Sequence, residues 1–285
     1  MSVKPLRLPA PAKLNLMLRV VGRRPDGYHL LQTVFQFIDW CDWIELKPMQ
    51  DGKISLSTPL ADVPEASDLT IRAAKLLRDA VGIGGLGVHI TVEKNLPMGG
   101  GLGGGSSDAA TTLLGLNALW ELGLSIDMLA GLGLQLGADV PVFVRGYAAW
   151  GEGVGEDLTP LPDLPEPWYL VVTPPCHVTT GAIFSSPELT RDNKRITIAD
   201  FVAGRQENHC LPVVVKAHPQ IGEAIKAVGA YSASPKLTGT GSCVFGTFDS
   251  EAEAQNAARN LSAEWRVFVA KGMNRSCVHG ALGIA

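Results

Sequence analysis

Leu96-Pro97-Met98-Gly99-Gly100-Gly101-Leu102-Gly103-Gly104-Gly105-Ser106-Ser107-Asp108 decides how this chain is read. Six of the seven residues from Gly99 to Gly105 are glycine. A backbone that bare can approach a bulky anion and turn its N–H groups toward it. Apolar residues follow at helical spacing, at Ala109, Ala110, Leu113, Leu116 and Trp120. Ser106 or Ser107 is the expected N-cap of that helix. The helix N-terminus then contributes free N–H groups and a positive dipole end, so the loop reads as a phosphate site.

The loop is not a Walker A motif, because Gly105 is followed by Ser106 and the lysine is missing. Gly99, Gly101 and Gly104 satisfy G-x-G-x-x-G, but a run this rich in glycine satisfies many spacings. The preceding Val88-His89-Ile90-Thr91-Val92 alternates apolar and polar, as a half-exposed strand does. A dinucleotide fold requires a buried apolar strand there and an acid ending the next strand. The acid at the right distance, Glu121, falls on the expected helix.

A chain of 285 residues that is 46% hydrophobic and 18% charged has enough apolar material for two modest lobes. Its net charge of −4 and the absence of a long Lys/Arg run argue against nucleic acid or an anionic membrane as partner. No run of 18 apolar residues occurs, and Lys4 and Arg7 do not introduce a secretory signal, so the expected location is the cytoplasm. The five cysteines (Cys41, Cys176, Cys210, Cys243, Cys277) are scattered and odd in number, which fits reduced thiols and offers no metal-ligand spacing.

Leu14, Leu16, Leu18 and Val20 alternate with Lys13, Asn15, Met17 and Arg19, which puts Lys13 and Asn15 on one strand face. Pro25-Asp26-Gly27 is a turn signal, and Val34 to Ile38 returns as a second strand. Short strands are expected at Ile44–Leu46 and Ile54–Leu56, helices over Leu69–Ala80 and Ile126–Leu136, and a strand over Val142–Ala149. Four prolines between Pro160 and Pro167 mark the expected boundary, dividing the chain into residues 1–158 and 159–285. Beyond it, strands near Tyr169–Thr173, Ser234, Cys243–Phe248 and Trp265–Ala270 alternate with helices over Ile221–Gly229 and Glu251–Leu261. That order suits helices layered on an antiparallel sheet.

Pro97 together with Gly101-Leu102-Gly103-Gly104-Gly105-Ser106-Ser107-Asp108-Ala109 resembles the phosphate loop of the GHMP kinases, the superfamily of galactokinase, homoserine kinase and mevalonate kinase. Four further segments narrow the likeness: Pro11-Ala12-Lys13-Leu14-Asn15-Leu16, Asp26-Gly27-Tyr28-His29-Leu30, Leu136-Gly137-Ala138-Asp139-Val140-Pro141-Val142-Phe143, and Leu237-Thr238-Gly239-Thr240-Gly241-Ser242-Cys243-Val244-Phe245. They resemble the branch that phosphorylates a cytidine-diphosphate-linked methylerythritol in isoprenoid precursor synthesis. The resemblance implies an α+β fold of two lobes, ribosomal-protein-S5-like in the N-terminal half and ferredoxin-like in the C-terminal half, with the active site between them. It also implies ATP as co-substrate, with Mg²⁺ accompanying it.

Under that resemblance Lys13 and Asp139 are the expected catalytic pair. Asp139 is the acid/base at the acceptor hydroxyl, and Lys13 is the charge beside it. Lys94 and the run Pro97, Met98, Gly99, Gly100, Gly101, Leu102, Gly103, Gly104, Gly105, Ser106 and Ser107 are expected at the nucleotide. Asn15, Tyr28, His29 and Phe184 are expected at the substrate, with Tyr28 and Phe184 stacking on a cytosine and His29 bonding its polar edge. No protein metal ligand is assigned. The expected partner is a small molecule bearing cytidine diphosphate, and the expected assembly is a monomer or weak homodimer. The alternative is a sister kinase of homoserine or mevalonate type, for which a base-binding Tyr28-His29 pair would have no use.

Overall fold

The computed structural model describes residues 4–57 and 64–284. Its spine is an antiparallel pair of very long strands, β1 (Leu6–Arg23) and β2 (His29–Met49). They run in register from Leu6 opposite Leu46 to Arg23 opposite His29, with shifts between Pro11 and Ala12, Asn15 and Met17, and Val20 and Gly22. Each shift adds local twist, which lets strands this long bend around a core. The sequence suggests two short strands where β2 is one. Asp39 and Asp42 interrupt the apolar run; Asp42 pairs with Ala10 and Asp39 falls in the bulge opposite Pro11 and Ala12, beyond which pairing resumes.

The far edge of β2 serves three partners in turn. Trp43–Met49 pairs with β4 (Gly87–Glu93), which also takes up the parallel strand β3 (Ile54–Leu56). Residues 33–35 pair with β5 (Ala149–Glu152), which turns back into β6 (Asp157–Pro160). Phe37 and Ile38 meet β10 (Arg266–Met273). Through β10 the sheet runs on into β7 (Trp168–Thr173), β9 (Val244–Phe248) and β8 (Lys236–Leu237).

On the first half lie α1 (Leu69–Val81), α2 (Gly104–Leu119), α3 (Ile126–Leu134) and α4 (Val140–Arg145). Asp68 caps α1 by accepting from the Thr70 and Ile71 amides, and left-handed Gly82 ends it. These helices bury Ile71, Leu77, Leu113, Leu116 and Phe143 against Leu8, Phe35, Phe37, Ile44 and Leu46 of the long strands. The strand expected over Val142–Ala149 is instead α4, with β5 beginning only at Ala149. Pro141 sits in the first helical turn, where its missing N–H costs nothing, and Gly146 at φ 70° closes the end. Val140 to Val144 are buried on every side, so no periodicity distinguishes helix from strand there.

The second half carries α5 (Thr180–Ser185), α6 (Ile198–Val202), α7 (Leu211–Ala217), α8 (Pro219–Gly229) and α9 (Glu251–Leu261). α8 and α9 cover β7 and β9 with Ile221, Ala224, Val228, Ala254 and Ala257. A separate apolar cluster draws on both halves, joining Ala12, Leu14, Leu96 and Leu102 to Tyr169, Val171, Cys243 and Phe245. The proline-rich link between them is pinned rather than loose, since Asn274 Nδ2 donates to the carbonyls of Pro162 and Leu164. After β10, α10 (Cys277–Leu282) returns to the first half and buries Val278 in its core. All five cysteines are free thiols. Among the described residues no helix is long and apolar enough to cross a membrane.

Candidate active site

The glycine loop lies where the two halves meet. Leu102 is buried in the shared cluster, which anchors the loop's midpoint with about 1.5–3 kcal/mol of burial. Its carbonyl accepts the Lys13 amide at 2.9 Å, so loop and β1 are tied by backbone. A second loop, residues 238–243, docks on the first from the other half. Ser242 and Cys243 donate their amides to the Gly99 and Gly100 carbonyls, and the Thr238 hydroxyl donates to that of Gly101. The turn Gly239-Thr240-Gly241-Ser242 therefore has a structural duty, while Gly239 and Thr240 also face the cavity.

That cavity has a volume of about 520 Å³. Its walls include every loop residue from Pro97 to Ser106, together with Lys13, Asn15, Lys94, Asp139 and Phe184. α2 begins one turn earlier than expected. Its N-cap is Gly103 at φ 74°, with no side-chain cap, so Ser106 and Ser107 lie inside the first turn and the expected serine cap is corrected. A left-handed glycine lets the chain fold back before the helix and leaves the first-turn amides facing outward. Ser106 borders the cavity, whereas Ser107 is fully buried behind it with its hydroxyl unpartnered.

Lys13 sits in the middle of β1 and is 3% exposed, so it is no surface lysine. Its ammonium donates to Asn15 Oδ1 at 2.5 Å and the Gly101 carbonyl at 3.0 Å, and pairs with Asp139 Oδ2 at 3.2 Å. Three partners use three ammonium protons, which fixes the side chain. Asp139 immediately precedes α4, yet its carboxylate makes no capping bond. With a third of its side chain exposed it turns instead to Lys13 and the cavity. Asn15 is committed to the protein at both ends, holding Lys13 through Oδ1 and donating to Thr33 Oγ1 through Nδ2.

Lys94 is brought to the cavity wall but its ammonium is shared by two carboxylates, Asp42 and Asp108. Neither acid was singled out from the sequence. Asp42 also accepts the Asn95 and Leu96 amides at 2.6 and 2.8 Å and so fixes the entry to the glycine loop. One lysine cannot neutralise both acids. Burial pushes the Asp108 carboxyl up to about 7, the Lys94 charge opposes that, and Asp42 adds to it. Burial disfavours the Lys94 charge, but the two acids outweigh it and raise its pKa. The signal for Asp42 was an acid inside the apolar stretch Trp40-Cys41-Asp42-Trp43-Ile44. Among the described residues no group of three or more His, Cys, Asp or Glu is arranged to hold a metal.

The third cluster lies at the outer end of β1 and β2. The turn carrying Tyr28 is ordered by its own backbone, with the Arg24 amide donating to the Tyr28 carbonyl and Asp26 Oδ1 accepting the Tyr28 amide. Tyr28 is 62% exposed. His29 stacks on Phe184 with ring centroids 4.9 Å apart and 25° between planes. Residues from opposite halves thus meet, but it is His29 rather than Tyr28 that lies against Phe184; only Phe184 borders the main cavity, and Tyr28 and His29 stand beyond it. Arg191, which carried no sequence signal, donates to His29 Nε2 and to the Phe184 and Ser186 carbonyls.

Comparison with known proteins fits this arrangement. Residues 68–147 match the model of the GHMP kinases N terminal domain, and residues 191–267 that of the GHMP kinases C terminal domain. A 4-diphosphocytidyl-2-C-methyl-D-erythritol kinase of Methylococcus capsulatus is 59% identical over 277 residues, covering 97% of this chain and 94% of its own. The protein of that name from Pseudomonas aeruginosa is 54% identical over 282 residues, 99% of each chain. A crystal structure of a 4-(cytidine 5'-diphospho)-2C-methyl-D-erythritol kinase superposes with a TM-score of 0.81 at 33% identity, covering 94% of this chain and 99% of that one. A mevalonate kinase shares the fold at a TM-score of 0.68 and 16% identity. The chain belongs to the GHMP kinase superfamily and, within it, to the family of 4-diphosphocytidyl-2-C-methyl-D-erythritol kinases.

Proposed function

We propose that this protein transfers the γ-phosphoryl group of ATP to the 2-hydroxyl of 4-diphosphocytidyl-2-C-methyl-D-erythritol, a step of isoprenoid precursor synthesis. The observation that carries this reading is the buried Lys13 held 3.2 Å from Asp139 at the edge of the glycine loop. Family membership supplies the substrate class, and the pair supplies the chemistry. Phosphoryl transfer needs a phosphate cradle, charge neutralisation and a group that orients the acceptor hydroxyl.

The first-turn amides of α2 and the Ser106 hydroxyl would receive the nucleotide phosphates. Close packing at Gly103, where a Cβ would lie 2.8 Å from Phe143 and 3.1 Å from Lys13 Cε, holds the backbone at the head of α2 against these two residues. Asp139 orients the acceptor hydroxyl and takes its proton late, as the new bond forms. Lys13 faces the same point and stabilises charge on the acceptor oxygen and the moving phosphoryl group. Mg²⁺ bound with the nucleotide would supply further charge neutralisation there. Tyr28, His29 and Phe184 hold the cytosine. The reading includes two functional lobes, residues 1–158 and 159–285, and a cytoplasmic monomer or weak homodimer.

An ATP-consumption assay on the cytidyl substrate, homoserine, mevalonate and galactose tests the assignment. Turnover is expected with the cytidyl substrate alone. Faster turnover of homoserine or mevalonate would replace it with the sister reaction.

A further inference from the structure

Arg191 is the member of the outer cluster that no motif explains. Its guanidinium is used on every side. Nε donates to His29 Nε2 at 2.9 Å, one terminal nitrogen donates to the Leu189 carbonyl at 2.9 Å, and the other to the Phe184 and Ser186 carbonyls at 2.8 and 2.6 Å. The carbonyls lie in and just after the last turn of α5, where acceptors lack helical partners and a cation is favoured. One side chain therefore fixes both partners of the His29–Phe184 stack, reaching across 162 residues of sequence to His29.

The bond to His29 has a chemical consequence. Arginine is only a donor, so His29 Nε2 must be the acceptor. A neutral imidazole with Nε2 as acceptor carries its hydrogen on Nδ1. Burial lowers the His29 pKa, and Arg191 and Arg23 lower it further, so the ring is neutral near pH 7.5. The Asp26 carboxylate nearby does not compete for it, being engaged by Arg24 at 2.6 Å and by the Tyr28 amide.

We infer that Arg191 is a positioning residue that sets His29 in its Nδ1–H form and so makes the base pocket select cytosine over uracil. This rests on the reading that the base lies against His29. Cytosine presents N3 and O2 as neighbouring acceptors to an N–H donor. Uracil carries a hydrogen on N3, which would meet the Nδ1 hydrogen head-on, and an unmatched buried donor is costly. Discrimination between the bases then comes from an arginine that does not touch them.

Long-range ¹H–¹⁵N correlation spectra of the whole protein test this, since the chain has only six histidines. The His29 signals are identified by their loss in His29→Gln. In the wild type His29 is expected as the Nδ1–H form at pH 7.5, and cytidine monophosphate should shift its signals while uridine monophosphate does not. In Arg191→Met the ring should change to the Nε2–H form. Its preference for cytidine over uridine monophosphate should fall about tenfold or more, with the KM for ATP unchanged. Arg191→Lys, which offers one ammonium for four acceptors, should lose most of the preference while keeping the fold. An Nε2–H ring in the wild type, with cytidine monophosphate still shifting it, would overturn the inference and leave the base pocket standing. An unchanged preference in a folded Arg191→Met would do the same. No response of His29 to cytidine monophosphate would overturn the base pocket and the inference together.

Discussion

Asp139→Asn keeps the size of the side chain and removes its capacity to take a proton. Asp139 caps nothing and is a third exposed, but it is the charge partner of the buried Lys13 ammonium; the amide oxygen can still accept from Lys13 without offsetting its charge, so the substitution should lower stability. Its effect on activity belongs to the chemical step: kcat should fall by a factor on the order of 10²–10⁴, with modest changes in both KM values. In Lys13→Met the lost ammonium also serves the fold. The Gly101 carbonyl keeps the Thr238 hydroxyl at 3.0 Å, but Asn15 Oδ1 loses its donor in a buried place. One orphaned acceptor costs about 1–3 kcal/mol. Thermal unfolding should therefore shift down in both variants, by roughly 2–4 °C for each kcal/mol lost. An ADP-coupled assay should find the double mutant losing far less than the product of the two single losses, because the pair acts on one oxygen. If Asp139→Asn, shown folded by circular dichroism, turned over within about fivefold of wild type, the acid/base assignment would be wrong and the proton would leave by another route.

Tyr28→Ala removes a ring that the protein itself barely contacts, so stability should hold while the KM for the cytidyl substrate rises by a factor worth roughly 1–3 kcal/mol, as for other base–aromatic stacks. An unchanged KM would take Tyr28 out of the base pocket. Gly103→Val places a branched side chain at φ 74° and against Phe143 and Lys13, so calorimetry should show ATP binding abolished with the cytidyl substrate still bound. Normal ATP affinity would give the loop another role. Asp108 has a folded pKa raised from 3.8 to about 7, so the native state takes up a proton that the unfolded chain releases between those values. Its contribution to stability is therefore lost as pH rises from about 4 to about 7 and is flat above that. Melting curves should show Asp108→Asn gaining on wild type across that window. A constant difference from pH 4 to 8 would mean that Asp108 stays ionised throughout.

How far the sequence could be read depended on how local the deciding interactions are. The β4–loop–α2 passage, α1, α8 and α9 were legible because periodicity and turn residues sit within each segment, although the α2 cap was not. The alternation around Lys13 correctly put it beside Asn15 on one strand face. It gave no hint that this face is buried, because the burying groups come from residues 101, 139 and 238. α4 failed for the opposite reason, since a segment buried all round has no period to read. Asp42 and Arg191 answer to partners 52 and 162 residues away. The glycine loop shows the same division within one motif. The sequence suggests a single reason for all its glycines, namely approach to phosphate. In the folded chain a Cβ at Gly99, Gly100 or Gly101 would lie 2.4, 2.7 or 2.2 Å from His177, Cys243 or the Thr238 carbonyl. Gly100 and Gly101 are required by the docking of the second loop and Gly99 by the His177 ring packed on it, whether or not nucleotide is present. At Gly104 and Gly105 the nearest protein atoms would be 3.4 and 3.3 Å away, so the protein alone asks much less there. Under the proposed function, what keeps these two bare is the approach of the nucleotide to the first turn of α2. Alanine at Gly105 should accordingly fold as wild type and weaken nucleotide binding, whereas alanine at Gly101 should disturb the joint between the halves.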